Sequence, residues 1–146
     1  RSRKIYVIAA CRTFGIPARL EPGTETAQCL INNQWIDQVF DNPIAQVKKF
    51  RLNLSLADQD LDFTPQYYDH FSLARFEENR FTTLDYGIYE DMDELDSLYL
   101  YAGSYRLITT KRLTTGKIIL DMNHFNIESP QTIEISIPRE PVTTAP

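Results

Sequence analysis

The chain has 146 residues, 42% hydrophobic and 24% charged, the balance of an ordinary globular sequence with room for one medium domain or for a small domain beside part of another. Its net charge is −5, and Lys and Arg are scattered without forming a stripe, which argues against nucleic acid as a partner. The longest apolar run, Ile5 to Cys11, falls far short of the ~20 residues a membrane span requires, so no span is expected in this segment.

The stretch from Ile5 to Leu20 reads as a deeply buried helix, stopped by Gly15 and turned by Pro17 into a strand over Ala18 to Glu21. A helix that is apolar nearly all round needs protein on every side. Only Arg1-Ser2-Arg3-Lys4 precede it, so the expectation is a piece cut from a longer protein, with the cut inside a domain. An ordinary helix stop, with Gly15 at C′ and Pro17 just beyond, accounts for the same residues. A hairpin follows, Gln28 to Ile31 against Trp35 to Phe40 across Asn32-Asn33-Gln34. Asn42-Pro43 then breaks the chain, dividing it into a first segment over 1–42 and a second over 44–138.

Beyond the break the hydrophobic period becomes two. Phe50, Leu52, Leu54 and Leu56 alternate with Arg51, Asn53 and Ser55. His70, Ser72 and Ala74 alternate with Phe71, Leu73 and Arg75 in a strand that turns at Glu77-Glu78-Asn79 into a return strand over Phe81 to Tyr86. Strands follow at Ser97 to Tyr101, Tyr105 to Thr109, Lys117 to Phe125 and Thr132 to Ile137, with Thr114-Thr115-Gly116 and Ser129-Pro130 as punctuation. Short strands at this spacing, with no convincing helix among them, predict an antiparallel β-sandwich. Residues 139–146 read as a disordered tail. The fold class is therefore mainly β, α+β overall.

Arg12 and the run Gly15-Ile16-Pro17-Ala18-Arg19, followed by the strand-like Gln34-Trp35-Ile36-Asp37, resemble the transglutaminase-like superfamily. In that family such a helix packs behind the active site and carries the nucleophilic cysteine at its N-terminal end. The second segment resembles, more loosely, the immunoglobulin-like or prealbumin-like sandwiches of bacterial envelope proteins, through Ala102-Gly103-Ser104-Tyr105-Arg106-Leu107 and the Thr-Thr-Gly turn. The combination implies a multidomain bacterial protein exported to the periplasm or cell envelope.

The chemistry implied by the resemblance is a thiolate, activated by a histidine that a carboxylate orients, forming a thioester with an amide. Counting back from Gly15 to the expected nucleophile runs off the chain ahead of Arg1, so no catalytic residue is expected here. Cys11 sits near the C-terminal end of the predicted helix, where the negative end of the dipole works against a thiolate. Cys29 falls on the strand where the family usually places its histidine, and a thiol cannot replace that base. A bridge between the two requires their elements to meet at disulfide geometry; free buried thiols are the simpler expectation.

No histidine precedes Asp69; His70 and His124 belong to the second segment and read as strand residues with one polar edge. Trp35, Asp37 and Asp41 are the candidate vestiges of the tryptophan-and-acid motif, against the plainer reading of Asp37 as a solvent-facing strand residue and Asp41 as a turn residue. The acidic run Glu90 to Asp96 lacks the glycine-centred loop of an EF-hand and reads as a solvated loop, so no metal and no cofactor are expected. Tyr67 and Tyr68 are the candidate ligand-contact aromatics, able to stack on a sugar if exposed and to anchor strands if buried.

The first expectation is thus an inactive piece of a transglutaminase-like or cysteine-protease-like parent that acts on a protein or peptide, with an accessory β-sandwich. The alternative is a noncatalytic module that binds glycan or protein at its loops.

Overall fold

A computed structural model describes residues 2–38, 48–58, 60–87 and 97–140. The chain divides into two compact units, Arg1–Lys48 and Lys49–Pro146. Asp41, the Asn42-Pro43 break, the acidic run Glu90 to Asp96 and residues 141–146 lie outside the described residues. Among the described residues there are one helix and ten strands, so the fold is mainly β.

In the first unit, helix α1 (Ser2–Thr13) leads into strands β1 (Ala18–Leu20), β2 (Ala27–Ile31) and β3 (Gln34–Asp37). They form an antiparallel sheet in the order β1-β2-β3. The hairpin turn is the two residues Asn32 and Asn33, at φ 50 and 61; Gln34, expected in the turn, pairs with Ile31. Paired left-handed residues match the twist of the flanking strands, and Asn tolerates that region better than most.

The helix corrects the expectation of deep burial. Tyr6 is 74% and Phe14 81% exposed, and of its apolar side chains only the stripe Val7, Ile8, Ala10 and Cys11 is partly covered. The reason is the sheet beneath it. Two short strands, β1 and β2, cover one side of the helix, and what they offer is the small side chains of Ala18, Ala27 and Cys29.

The second unit contains β4 (Lys49–Leu56), β5 (Phe71–Glu77), β6 (Arg80–Thr83), β7 (Ser97–Tyr101), β8 (Gly103–Arg112), β9 (Ile118–Ile127) and β10 (Gln131–Ile135). One sheet runs β10-β4-β7 and the other β6-β5-β8-β9. The alternation read in the sequence shows directly in β4, where Leu52 and Leu54 are buried and Arg51 is exposed. Inward residues of both sheets, including Leu52, Leu100 and Ile135 from one and Phe71, Leu73, Tyr105 and Ile127 from the other, share one hydrophobic cluster.

Two expectations are corrected. The sheets are not wholly antiparallel, because β10 runs parallel to β4, with Ile133 opposite Leu54. The return strand after the Glu78-Asn79 turn ends at Thr83; Leu84 and Tyr86 are buried in the core beyond it. The tail expected from residue 139 begins with an anchored residue, since the Arg139 guanidinium bonds to the Asp58 carboxylate and holds that carboxyl below its ordinary range.

The β5–β6 turn repeats the device of the first hairpin, with Glu78 at φ 51 and Asn79 at φ 62. A left-handed conformation costs an ordinary L-residue about 1–2 kcal/mol, and Asn less. Glu78→Asn should therefore stabilise the second unit by about 0.5 kcal/mol and raise its melting temperature by a few degrees, followed by near-UV circular dichroism of its tyrosines.

Candidate functional site

In the first unit the G-I-P-A-R run is a turn closed from several sides. Gly15 takes φ 74, donating its N–H to Arg12 O, while the Ile16 N–H bonds to Cys11 O. The Arg12 guanidinium then reaches over the turn to the Ala18 carbonyl, with Nε at 3.0 Å and Nη2 at 2.8 Å. That clamp fixes the angle between α1 and β1. Charge-assisted donors of this kind are the stronger class of hydrogen bond.

Trp35 and Asp37 are brought together on the sheet face opposite the helix. Arg19 Nε donates to Gln28 Oε1 at 2.8 Å, and Gln28 Nε2 donates to Asp37 Oδ1 at 2.8 Å. The Arg19 guanidinium also lies 4.1 Å from the centre of the Trp35 ring. The register Arg19–Gln28–Asp37 across β1, β2 and β3 makes this row. It positions a carboxylate, an amide, a guanidinium and an indole.

Sequence reasoning passed over a small polar knot at the β1–β2 turn. Glu21 Oε2 accepts from both the N–H and the hydroxyl of buried Thr24, each at 2.7 Å, and the Thr24 hydroxyl meets that of Thr26 at 2.9 Å. A glutamate three residues before a threonine, across Pro22-Gly23, is the local signal for it.

The two thiols meet. Cys11, in the last turn of α1, places its Sγ 2.9 Å from that of Cys29 on β2. Contact with Cys11 and then burial push the Cys29 thiol up to about 11 from an ordinary 9.0. Cys29 is thus a protonated thiol at neutral pH.

In the second unit the adjacent tyrosines part company. Tyr67 is buried, its hydroxyl donating to Leu84 O at 2.6 Å and accepting from Leu73 N–H at 3.0 Å. Burial pushes its ionisation upward. Tyr68 adopts φ 71 and is 53% exposed. Its hydroxyl donates to Asp85 Oδ1 at 2.9 Å, and its ring lies so close to Gly87 that a Cβ there would stand 2.5 Å from Cε2. Any side chain at Gly87 would therefore displace the Tyr68 ring from this position.

His70 accepts the Gln66 N–H at Nδ1, at 3.0 Å, and stacks on Phe63 with centroids 4.6 Å apart. His124, on the outer face of β9, sits 5.4 Å from the Phe81 ring, over which the Arg106 guanidinium also lies at 4.2 Å. Each histidine thus packs against an aromatic ring. Among the described residues no group of three or more His, Cys, Asp and Glu is placed to hold a metal ion.

No protein-family model, curated protein or solved structure matches the chain.

Removing the Tyr67 hydroxyl leaves a buried carbonyl of Leu84 and a buried N–H of Leu73 short of a partner. Tyr67→Phe should cost about 1–3 kcal/mol of the second unit's stability. Tyr68→Phe, at an exposed position, should cost at most about 0.5 kcal/mol. Urea denaturation read by tyrosine near-UV signal separates these from the first unit, which Trp35 reports.

Proposed function

We propose that the chain supplies the rear of a transglutaminase-like core together with an accessory β-module, and that it carries out no chemical step itself. The observation that carries this reading is the Arg12–Ala18 clamp over the Gly15–Pro17 turn. It gives the residues of the G-I-P-A-R resemblance a joint role, that of holding a helix at a fixed angle against a strand. A helix presenting a nucleophile needs such bracing, since misplacement by about 1 Å can cost ~100-fold in rate.

The reaction is acyl transfer or amide hydrolysis on a protein or peptide, by way of a thioester, in the periplasm or at the cell envelope of a bacterium. The nucleophile lies ahead of Arg1. Neither cysteine of the chain suits that role, because Cys11 stands in the last turn of α1 and Cys29 holds its proton to about pH 11. Trp35 and Asp37 are vestiges of the family's motif, with the Asp37 carboxylate taken by Gln28. The second unit, an immunoglobulin-like or prealbumin-like sandwich, positions substrate or anchors the catalytic part.

An electrophilic amide-mimicking probe on the natural protein tests this. It should label a cysteine ahead of Arg1 and leave Cys11 and Cys29 free, and the chain of residues 1–146 should incorporate no amine into a glutamine substrate. Amine incorporation by that chain, abolished by Cys11→Ala, would sink the reading.

A second reading is favoured by Tyr68: the second unit is a glycan-binding module. An exposed phenol ring held at φ 71 beside the Asp85 carboxylate offers a stacking face and an acceptor for sugar hydroxyls. Backbone strain of this kind collects at ligand sites. On a glycan array the chain should then bind a defined set of sugars, with affinity falling more than tenfold on Tyr68→Ala and the melting transition preserved. An array without specific signal, or one indifferent to Tyr68→Ala, excludes it. Tyr67→Ala is no substitute, because it strikes the core.

A further inference from the structure

We propose that Cys11 and Cys29 are a redox modification site, closing to an intrachain disulfide that fastens α1 to β2. The geometry is already near the product. The sulfurs lie 2.9 Å apart, so each must move by less than about 0.5 Å to reach the ~2.05 Å of an S–S bond. Neither residue is adrift: the Cys11 carbonyl accepts N–H groups from Phe14 and Ile16, and Cys29 is in the central strand of the sheet, paired with Ala18 and Ile36.

The need for a fastening is evident in what else holds the helix. The buried apolar residues of this unit among those described are Ala18, Ala27 and Cys29, while Ile5, Tyr6 and Phe14 remain exposed. Polar ties supplement them, from Lys4 Nζ to Glu25 O at 2.7 Å and from Arg12 to Ala18 O. Small units with so little core are the ones that disulfides stabilise, chiefly by restricting the unfolded chain.

The oxidant is a low-molecular-weight disulfide, and the order of events follows from exposure. Cys11 is partly exposed and Cys29 buried. Cys11, as thiolate, attacks one sulfur of the oxidant and expels one thiolate, leaving a mixed disulfide on Cys11. Cys29 then gives up its proton and attacks the Cys11 sulfur, expelling the second thiolate. The two protein thiols lose two protons and two electrons, and the oxidant is reduced to two thiols.

The test uses oxidised glutathione on the folded chain, read by intact mass, peptide mapping and amide exchange. The expected product is monomeric and lighter by two hydrogen atoms, with one Cys11–Cys29 linked peptide. Its α1 amides should exchange at least tenfold more slowly than in the reduced chain, and dithiothreitol should reverse both changes. Cys29→Ser should halt at a stable glutathione adduct on Cys11, and Cys11→Ser should leave Cys29 largely unmodified. The proposal is overturned if both thiols persist while the urea-unfolded chain oxidises, if stable adducts form on both cysteines of the unsubstituted chain, or if the product is a dimer. Equal rates of glutathione uptake in the two Ser variants would overturn the order of events.

Discussion

The hydroxyl of Tyr67 ties together the strand β5 and the chain that returns beside it, at a point water does not reach. Three bonds form a closed set there: Tyr67 to Leu84 O, Leu73 N–H to Tyr67, and Leu84 N–H to Leu73 O at 2.9 Å. A phenol is costly to bury without partners, and this one pairs backbone groups that β6, ending at Thr83, no longer serves. Its ring meets Phe71 and Tyr86 edge-on, at centroid distances of 5.3 and 5.8 Å, within the hydrophobic cluster. The corner therefore serves both the polar and the apolar requirements of the core.

Tyr68 takes its position from the same corner. The Tyr68 N–H bonds to Phe71 O at 2.8 Å and the His70 N–H to Gln66 O at 2.9 Å, which makes Gln66 to Phe71 a tight turn. With Tyr67 fixed inward, the next side chain must leave the core, and closing the turn requires φ 71 at that residue. Gly87 and Asp85 then receive the ring and its hydroxyl. Exposure of Tyr68 is a consequence of the burial of Tyr67, so the candidate contact surface and the stability of the unit share one origin.

Much of the second unit was legible in the sequence because alternation is a local property. Leu52 and Leu54 against Arg51, and the turn residues Glu78 and Asn79, announce strands and their reversal without reference to anything distant. Pairing is different. The side-chain period of a strand is the same in parallel and antiparallel sheets, so nothing in Thr132 to Ile137 discloses that β10 lies parallel to β4. The exposure of α1 is hidden from its sequence for a related reason. Apolar residues on every face of a helix show what it could bury, whereas the strands it packs on, β1 and β2, set what it does bury. Nor does residue type separate Tyr67 from Tyr68, since the difference arises from backbone closure several residues on.

The first unit is held by a different kind of force. Its described buried side chains are small, so hydrophobic area contributes little, and directional bonds hold it instead, Arg12 on Ala18, Glu21 on Thr24, and the Arg19–Gln28–Asp37 row. Such bonds contribute about 0.5–3 kcal/mol each and depend on angle as well as distance. A unit built this way keeps its geometry only while its helix stays in place. The point where α1 and β2 come closest in chemistry is the Cys11–Cys29 contact, where a protonated thiol rests against its neighbour. The proton on Cys29 lets the two sulfurs approach without charge repulsion, and because contact with the Cys11 thiol is the main reason that proton is held, converting Cys11 to a mixed disulfide removes the restraint and leaves Cys29 able to close the bond.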